Sequence, residues 1–144
     1  MSVTEINSTD AFETLKNEKN SVLVDVRTFE EINFVGFVDP SNFENRMILL
    51  PWQLYPEMQE NPDFSHILEE SLKELNLFDK KEELKIFFMC RSGARSTSAG
   101  NYILNLGYKN CYNITNGFEG DLNSGNHRGK VNGWKASHLP WRQR

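Results

Sequence analysis

Cys90, Arg91, Ser92, Gly93, Ala94, Arg95 and Ser96 are consecutive, so a soft nucleophile stands beside two permanent cations in a run of small residues. Cysteine attacks as the thiolate, and its pKa falls from about 8.5 towards roughly 3.5–7.5 beside arginine or at a helix N-terminus. Gly93 and its small neighbours let the backbone wrap so that successive N–H groups point inward as an anion cradle. A helix starting near Ser96 adds the partial positive charge of its N-terminus. The chemistry expected of Cys90 is nucleophilic and covalent, on a centre that carries or develops negative charge. A cysteine serving only as a small buried hydrophobe does not call for Arg, Gly and Arg at its side.

The remaining reactive residue types are sparse. Cys111 lies in a short apolar run with Lys109 as its basic neighbour and is expected to be inert. It is also too far along the chain from Cys90 for a Cys-x-x-Cys pair. His66, His127 and His138 are scattered without metal-ligand spacing, so neither metal nor cofactor is expected. His66 is expected to be partly exposed on a helix, His127-Arg128 to sit in an exposed polar loop, and Trp52 and Trp141 to pack. Asp25 and Arg27 close an apolar run and are expected at the same sheet edge as Cys90. Asp25 is expected to pair with Arg95, whose charge is opposite.

The elements that must position these residues follow from periodicity. Ser8-Thr9-Asp10 reads as the cap of a helix ending by residues 18–20. Residues 21–26 form a short β-branched apolar run with no polar alternation until its end, the pattern of a strand buried on both faces of a parallel sheet. Thr28 and Glu31 make a capping box for a helix over 29–35. Residues 47–50 read as a strand stopped by Pro51. Asn61-Pro62 reads as cap and first position of a helix ending near 75–76. Residues 84–89 are the strongest strand and run straight into Cys90. Residues 96–106 form a helix stopped by Gly107, and 110–114 a last strand. This alternation predicts an α/β domain with a central, mostly parallel sheet covered by helices on both faces, and open sheets of that kind hold ligands at the carboxyl ends of their strands.

The chain has 144 residues, enough for one domain with a real core. Hydrophobic residues at 38% and charged residues at 25% fit a soluble globular domain rather than a disordered chain. A net charge of −4 gives no footing for nucleic acid. No apolar run reaches the roughly 18 residues of a membrane span, and the polar N-terminus lacks a signal-like apolar stretch, so a cytoplasmic or organelle-matrix location is expected.

The pattern Cys-x-x-Gly-x-Arg-Ser after an apolar strand resembles the rhodanese-like sulfurtransferase family in its single-domain form. The same holds for Asp25-Val26-Arg27, the Thr-x-Glu-Glu helix start and the closing Gly-Trp-Lys-Ala-x-x-Leu-Pro at residues 133–140. The resemblance implies a three-layer rhodanese-like fold over residues 1–144, with a core of about 8–141 and a glycine-rich insertion of about 117–132 that borders the site and selects substrates. It implies a sulfur-carrying Cys90, which takes a sulfane sulfur from a donor such as thiosulfate and passes it to a thiol, cyanide or a protein acceptor. Residues 91–96 would surround the outer sulfur, with Arg91 on the donor's anionic end, and Asp25 and Arg27 would brace the site. The loop carries Ser92 and Arg95 where the best-known thiosulfate-using loop has Lys and Thr. Two other readings are a Cys-dependent phosphatase, whose loop has five residues between Cys and Arg where this one has four, and a non-catalytic binding module of the same fold, members of which typically lose the cysteine.

Overall fold

In the computed structural model, which describes residues 2–143, the chain opens with β1 (Thr4–Ile6), α1 (Ser8–Asn17), β2 (Ser21–Asp25) and α2 (Phe29–Val35). It continues through β3 (Phe37–Val38), β4 (Met47–Leu49) and a small hairpin of β5 (Gln53–Leu54) and β6 (Gln59–Glu60). Then come α3 (Phe64–Glu74), β7 (Lys85–Met89), α4 (Ala94–Leu104), β8 (Asn110–Ile114), α5 (Gly133–Ala136) and β9 (Trp141–Arg142). The central sheet has the order β1-β8-β7-β2-β4, and each of its pairings is parallel. Short antiparallel pairs, β3 with β9 and β5 with β6, lie outside it.

Side chains alternate across a pleated strand, and the two core clusters record that alternation. Val22, Val24, Ile86 and Phe88 pack with Phe64, Leu68 and Leu72 of α3 and with Ala99 and Ile103 of α4. Leu23, Phe87 and Met89 pack with Ala11, Phe12 and Leu15 of α1 and with Trp134 of α5. Helices therefore cover both faces, as the apolar runs require. The expected three-layer architecture stands. Among the described residues no helix is long and apolar enough to cross a membrane.

Local chemistry accounts for most boundaries. The Thr28 capping box is formed: Thr28 Oγ1 accepts from the Glu31 N–H at 3.2 Å, and Glu31 Oε1 accepts from the Thr28 N–H at 3.2 Å. Other termini differ from expectation. The cap of α1 is Asn7, whose Oδ1 accepts from the Asp10 N–H at 2.8 Å, not a residue of 8–10. Asn61 instead folds an Asx turn onto the Asp63 N–H, so Pro62 precedes α3 rather than opening it. The helix after Cys90 begins at Ala94, two residues before Ser96, because Gly93 at φ +125° completes the turn a side-chain-bearing residue resists. β1, which shows no pattern in sequence, is a three-residue edge strand that gains its ladder only by docking on β8.

Candidate active site

The chain leaves β2 for β4 on one side and places β7 on the other, so the carboxyl ends of β2 and β7 flank a topological switch point where open sheets form a crevice. Cys90 leaves β7 there, and Val26 to Thr28 leave β2, tied together by a 2.8 Å bond from the Val26 N–H to the Met89 carbonyl. Cys90 is 1% exposed. The Gly93 N–H donates to its Sγ at 3.1 Å, and Ser96 Oγ lies 3.2 Å from Sγ. An N–H aimed at the sulfur is placed to solvate negative charge there.

Ser96 continues into a polar chain that periodicity does not reveal. Its hydroxyl lies 3.1 Å from the Gly93 carbonyl and is hydrogen-bonded to Asn113 Oδ1. Asn113 Nδ2 donates to Glu5 Oε1 at 2.8 Å, and the Thr115 hydroxyl donates to the same oxygen at 2.8 Å. The carboxylate can only accept, so Asn113 must turn its amide towards Glu5 and its carbonyl towards Ser96. Two acceptors thus hold the single Ser96 proton, and the hydroxyl is fixed beside the sulfur. Asn113, 3% exposed within β8, was the one available signal, a polar residue between Tyr112 and Ile114 in a short strand.

Arg27 and Arg95 each take a different carboxylate. Arg27 Nε and NH2 both bond Asp25, at 3.0 Å and 2.7 Å, and NH2 also reaches the Gly36 carbonyl. Both side chains are fully buried. The Arg27 guanidinium lies 4.3 Å over the Phe118 ring, and its NH1 has no hydrogen-bond partner. Arg95 pairs with Glu31 through two bonds of 2.6 Å and 2.8 Å, so the expected Asp25–Arg95 pair does not form. The pleat explains it. Asp25 is in register with Met89 and points to the opposite sheet face from Cys90, whose helix α4 carries Arg95. Burial pushes the Glu31 carboxyl up, but the Arg95 hydrogen bonds and charge, with the Thr28 bonds, outweigh it and hold it below its ordinary value. The Glu31 hydrogen bonds push Arg95 up, against the opposing effect of burial.

Arg91 is exposed, and its guanidinium has no partner among the described residues. Ser92 and Gly93 are half-buried, and Ala94 is exposed at the start of α4. Behind the loop, the Phe118 N–H donates to the Cys90 carbonyl at 2.8 Å, and the Glu119 and Gly120 N–H groups donate to the Arg91 carbonyl. A Cβ on Gly117 would sit 2.3 Å from the Cys90 carbonyl oxygen, so only glycine admits this approach. The remainder of the 117–132 segment folds on itself, with Arg128 donating to the Gly120 carbonyl at 2.7 Å and His127 exposed.

In front of the loop lies a groove of about 540 Å³. Its wall is Phe34 and Val35 of α2 with Tyr55 and Met58 of the β5–β6 hairpin, and its loop side is Arg91 and Arg95. No residue of 117–132 lines this groove; the glycine-rich segment borders the Cys90 loop through residues 117–120 instead. That segment backs the loop, and the hairpin supplies the wall.

Cys111 pairs in register with Ile86, four residues before Cys90, which is roughly 13 Å at ~3.3 Å per residue. Burial pushes its thiol up to about 12, so it is inert as expected. Trp52 is buried against Phe64. Trp141 is 37% exposed and packs edge-on to Phe118 with Lys135 over its ring. His66 is exposed on α3, its ring within reach of Glu69 and Glu70 and on an element that does not contribute to the Cys90 crevice.

Comparison with known proteins agrees with this geometry. The family model described as a rhodanese-like domain matches residues 8–123. The chain is 44% identical over 141 residues to the uncharacterized RP600 homolog of Rickettsia rickettsii, covering 98% of each. It is 28% identical over 120 residues to the thiosulfate sulfurtransferase GlpE of Actinobacillus succinogenes, covering 83% of this chain and 85% of that one. The crystal structure of Rv0390 from M. tuberculosis superposes with a TM-score of 0.83 at 33% identity, covering 100% of both chains. With the Cys90 loop at the switch point of a five-strand parallel sheet, these matches establish that the chain belongs to the rhodanese-like domain family.

Proposed function

We propose that the protein is a sulfurtransferase that carries a sulfane sulfur as a persulfide on Cys90. The carrying observation is the sulfur at the base of a short loop, with the Gly93 N–H 3.1 Å from Sγ and four residues between Cys90 and Arg95. A ring of that size suits one added sulfur better than a tetrahedral phosphoryl group. The loop arginine that a phosphatase would turn on its substrate is committed here to Glu31 through both of its terminal nitrogens.

In the first half-reaction the Cys90 thiolate attacks the donor's sulfane sulfur. The new S–S bond forms as the donor's own bond to that sulfur breaks, and the leaving group departs with the electron pair: sulfite, when the donor is thiosulfate. An acceptor thiolate or cyanide then attacks the outer sulfur, and Cys90 leaves as thiolate. Splitting the transfer this way is nucleophilic catalysis with ping-pong kinetics. Arg91, next in the chain to the nucleophile and without a partner among the described residues, receives the donor's anionic end.

The test is direct. Protein incubated with thiosulfate should gain the mass of one sulfur atom, lose it to cyanide with release of thiocyanate, and show no gain in Cys90→Ser while Cys111→Ser behaves as wild type. Cys90-dependent hydrolysis of an aryl phosphate without sulfur uptake from any donor would replace this reading with a phosphatase. Neither activity, in protein whose Cys90 is reduced and alkylatable, would leave a binding module.

A further inference from the structure

Two neighbours of the Cys90 sulfur act on it in opposite senses. The Gly93 N–H donates to Sγ at 3.1 Å and supports negative charge there. Ser96 Oγ, 3.2 Å from Sγ, belongs to a hydroxyl with one proton and two lone pairs, so its effect depends on where that proton points. Ser96 is 0% exposed, and protein groups decide the direction.

That decision is made on β1, at the far edge of the sheet. Parallel register sets Glu5 of β1 opposite Asn113 of β8, and the Val3 N–H, 2.8 Å from Asn101 Oδ1, ties the start of the chain to α4, the helix that carries Ser96. Glu5 Oε1 accepts from Asn113 Nδ2 and from the Thr115 hydroxyl, each at 2.8 Å. With its amide nitrogen spent on Glu5, Asn113 can offer Ser96 only its carbonyl oxygen, and Ser96 donates to it. The proton therefore points away from Cys90, and a lone pair faces the sulfur. The Cys90 S–H can donate to that lone pair, whereas a thiolate in the same place meets an oxygen without a proton.

We infer that Glu5, acting through Asn113, is a positioning residue that makes the Ser96 hydroxyl an acceptor towards Cys90 and so favours the thiol form of the resting nucleophile. On the sulfurtransferase reading, on which this consequence alone rests, the relay favours the loaded enzyme. In a Cys90 persulfide Sγ is bonded to two atoms and uncharged, the charge lies on the outer sulfur, and the Ser96 lone pair no longer opposes it. The charged groups contributed by the surrounding elements are Arg91 in the loop, the Arg95–Glu31 pair of α4 and α2, the Asp25–Arg27 pair at the end of β2, and Glu119, whose N–H holds the Arg91 carbonyl. The test leaves each of them unchanged.

The experiment measures the rate of iodoacetamide alkylation of Cys90 against pH in the full chain carrying Cys111→Ser, with the alkylated residue located by peptide mass. The thiolate is the reacting form, so the pH midpoint of the rate reports the balance of thiol and thiolate. Ser96→Ala removes the acceptor and should lower the midpoint by about 0.5 pH unit or more, the worth of one hydrogen bond. Glu5→Ala frees the Asn113 amide to turn and should lower it by about 0.3 pH unit, while Glu5→Gln, which loses the charge but keeps Oε1, should restore the starting value. An unchanged or higher midpoint in Ser96→Ala shows that the hydroxyl does not oppose the thiolate, and overturns the proposal. So does a Glu5→Ala midpoint equal to that of the parent, or a Glu5→Gln shift as large as that of Glu5→Ala, which makes Glu5 act by charge rather than by orientation. Glu5 is exposed, so its variants decide the matter even if Ser96→Ala does not fold. Alkylation transfers no sulfur, so failure of the relay leaves the sulfurtransferase reading in place, and failure of thiosulfate to load Cys90 leaves the relay in place.

Discussion

The wall behind the Cys90 loop and the groove in front of it are built from opposite materials. Behind, Asp25 and Arg27 pair at 0% exposure, Gly117 lies so close that a Cβ would clash with the Cys90 carbonyl, and three N–H groups of residues 118–120 fasten the loop carbonyls. In front, Arg91 is exposed and has no partner among the described residues, and the apolar side chains of Phe34 and Tyr55 face solvent. Between them, Arg95 and Glu31 clamp α4 to α2 at 17% and 23% exposure. A nucleophile must be held within a fraction of an ångström, which needs rigid packing on one side. Its substrates must enter and leave, which needs uncovered surface on the other. The same residue type, arginine, is thus structural in the wall, a clamp at the boundary and an exposed cation in the groove.

If that contrast holds, substitutions should separate by side. Asp25→Ala strands the Arg27 guanidinium in the wall, and breaking a fully buried pair in this way costs about 3–5 kcal/mol, read from urea unfolding midpoints. Asp25→Asn, which keeps an acceptor for the Arg27 Nε–H, should cost less. Equal losses, or a loss below about 1 kcal/mol for Asp25→Ala, would show that the wall does not depend on this pair.

Gly117→Ala comes next. It forces a Cβ onto a backbone at φ +60° and into the Cys90 carbonyl. The left-handed conformation alone costs roughly 1–2 kcal/mol, and backbone displacement adds to it. Stability should fall by at least about 2 kcal/mol, together with the rate of sulfur loading, because the displaced backbone is the loop's own. A stability loss with an unaffected loading rate would uncouple the wall from the nucleophile.

The clamp should be worth less. A double-mutant cycle of Arg95→Ala and Glu31→Gln is expected to give a coupling of about 1–2 kcal/mol, with Asp25 and Arg95 coupled less than half as strongly. The reverse order would restore the pairing that opposite charge alone suggests. This clamp is also pH-dependent, with a definite sign. The folded Glu31 pKa lies below its ordinary 4.5, so the stabilisation is complete above about 4.5 and is lost as pH falls through the folded value. The stability difference between wild type and Glu31→Gln should be flat from about pH 6 to 8 and shrink below about pH 5.

Arg91→Ala should barely move stability, by within about 0.5 kcal/mol, as for surface residues without partners. Its kcat/KM for anionic sulfur donors should nonetheless fall about tenfold, the worth of one charge-assisted contact. Lost stability with preserved kinetics would place Arg91 in the wall and reverse the comparison.

Signals contained within a few neighbouring residues were legible without the fold. The apolar run of β2 announced a strand buried on both faces, that of β7 the strongest strand of the chain, the Thr28–Glu31 spacing announced a capped helix, and Cys90 with Gly93 announced a loop turning into a helix. Each is a local rule of backbone and side-chain geometry. Partners and surfaces were decided only by tertiary structure. Which carboxylate Arg95 meets depends on the pleat phase that turns Asp25 to the other sheet face. The Asn113–Glu5 link depends on an edge strand, β1, that is stable only when docked. The groove wall depends on a hairpin at residues 53–60 being carried to α2 by the return of the chain from β4. Charge and hydrophobicity in the sequence state what a residue can pair with, whereas strand order and register determine which of the eligible partners arrives within reach.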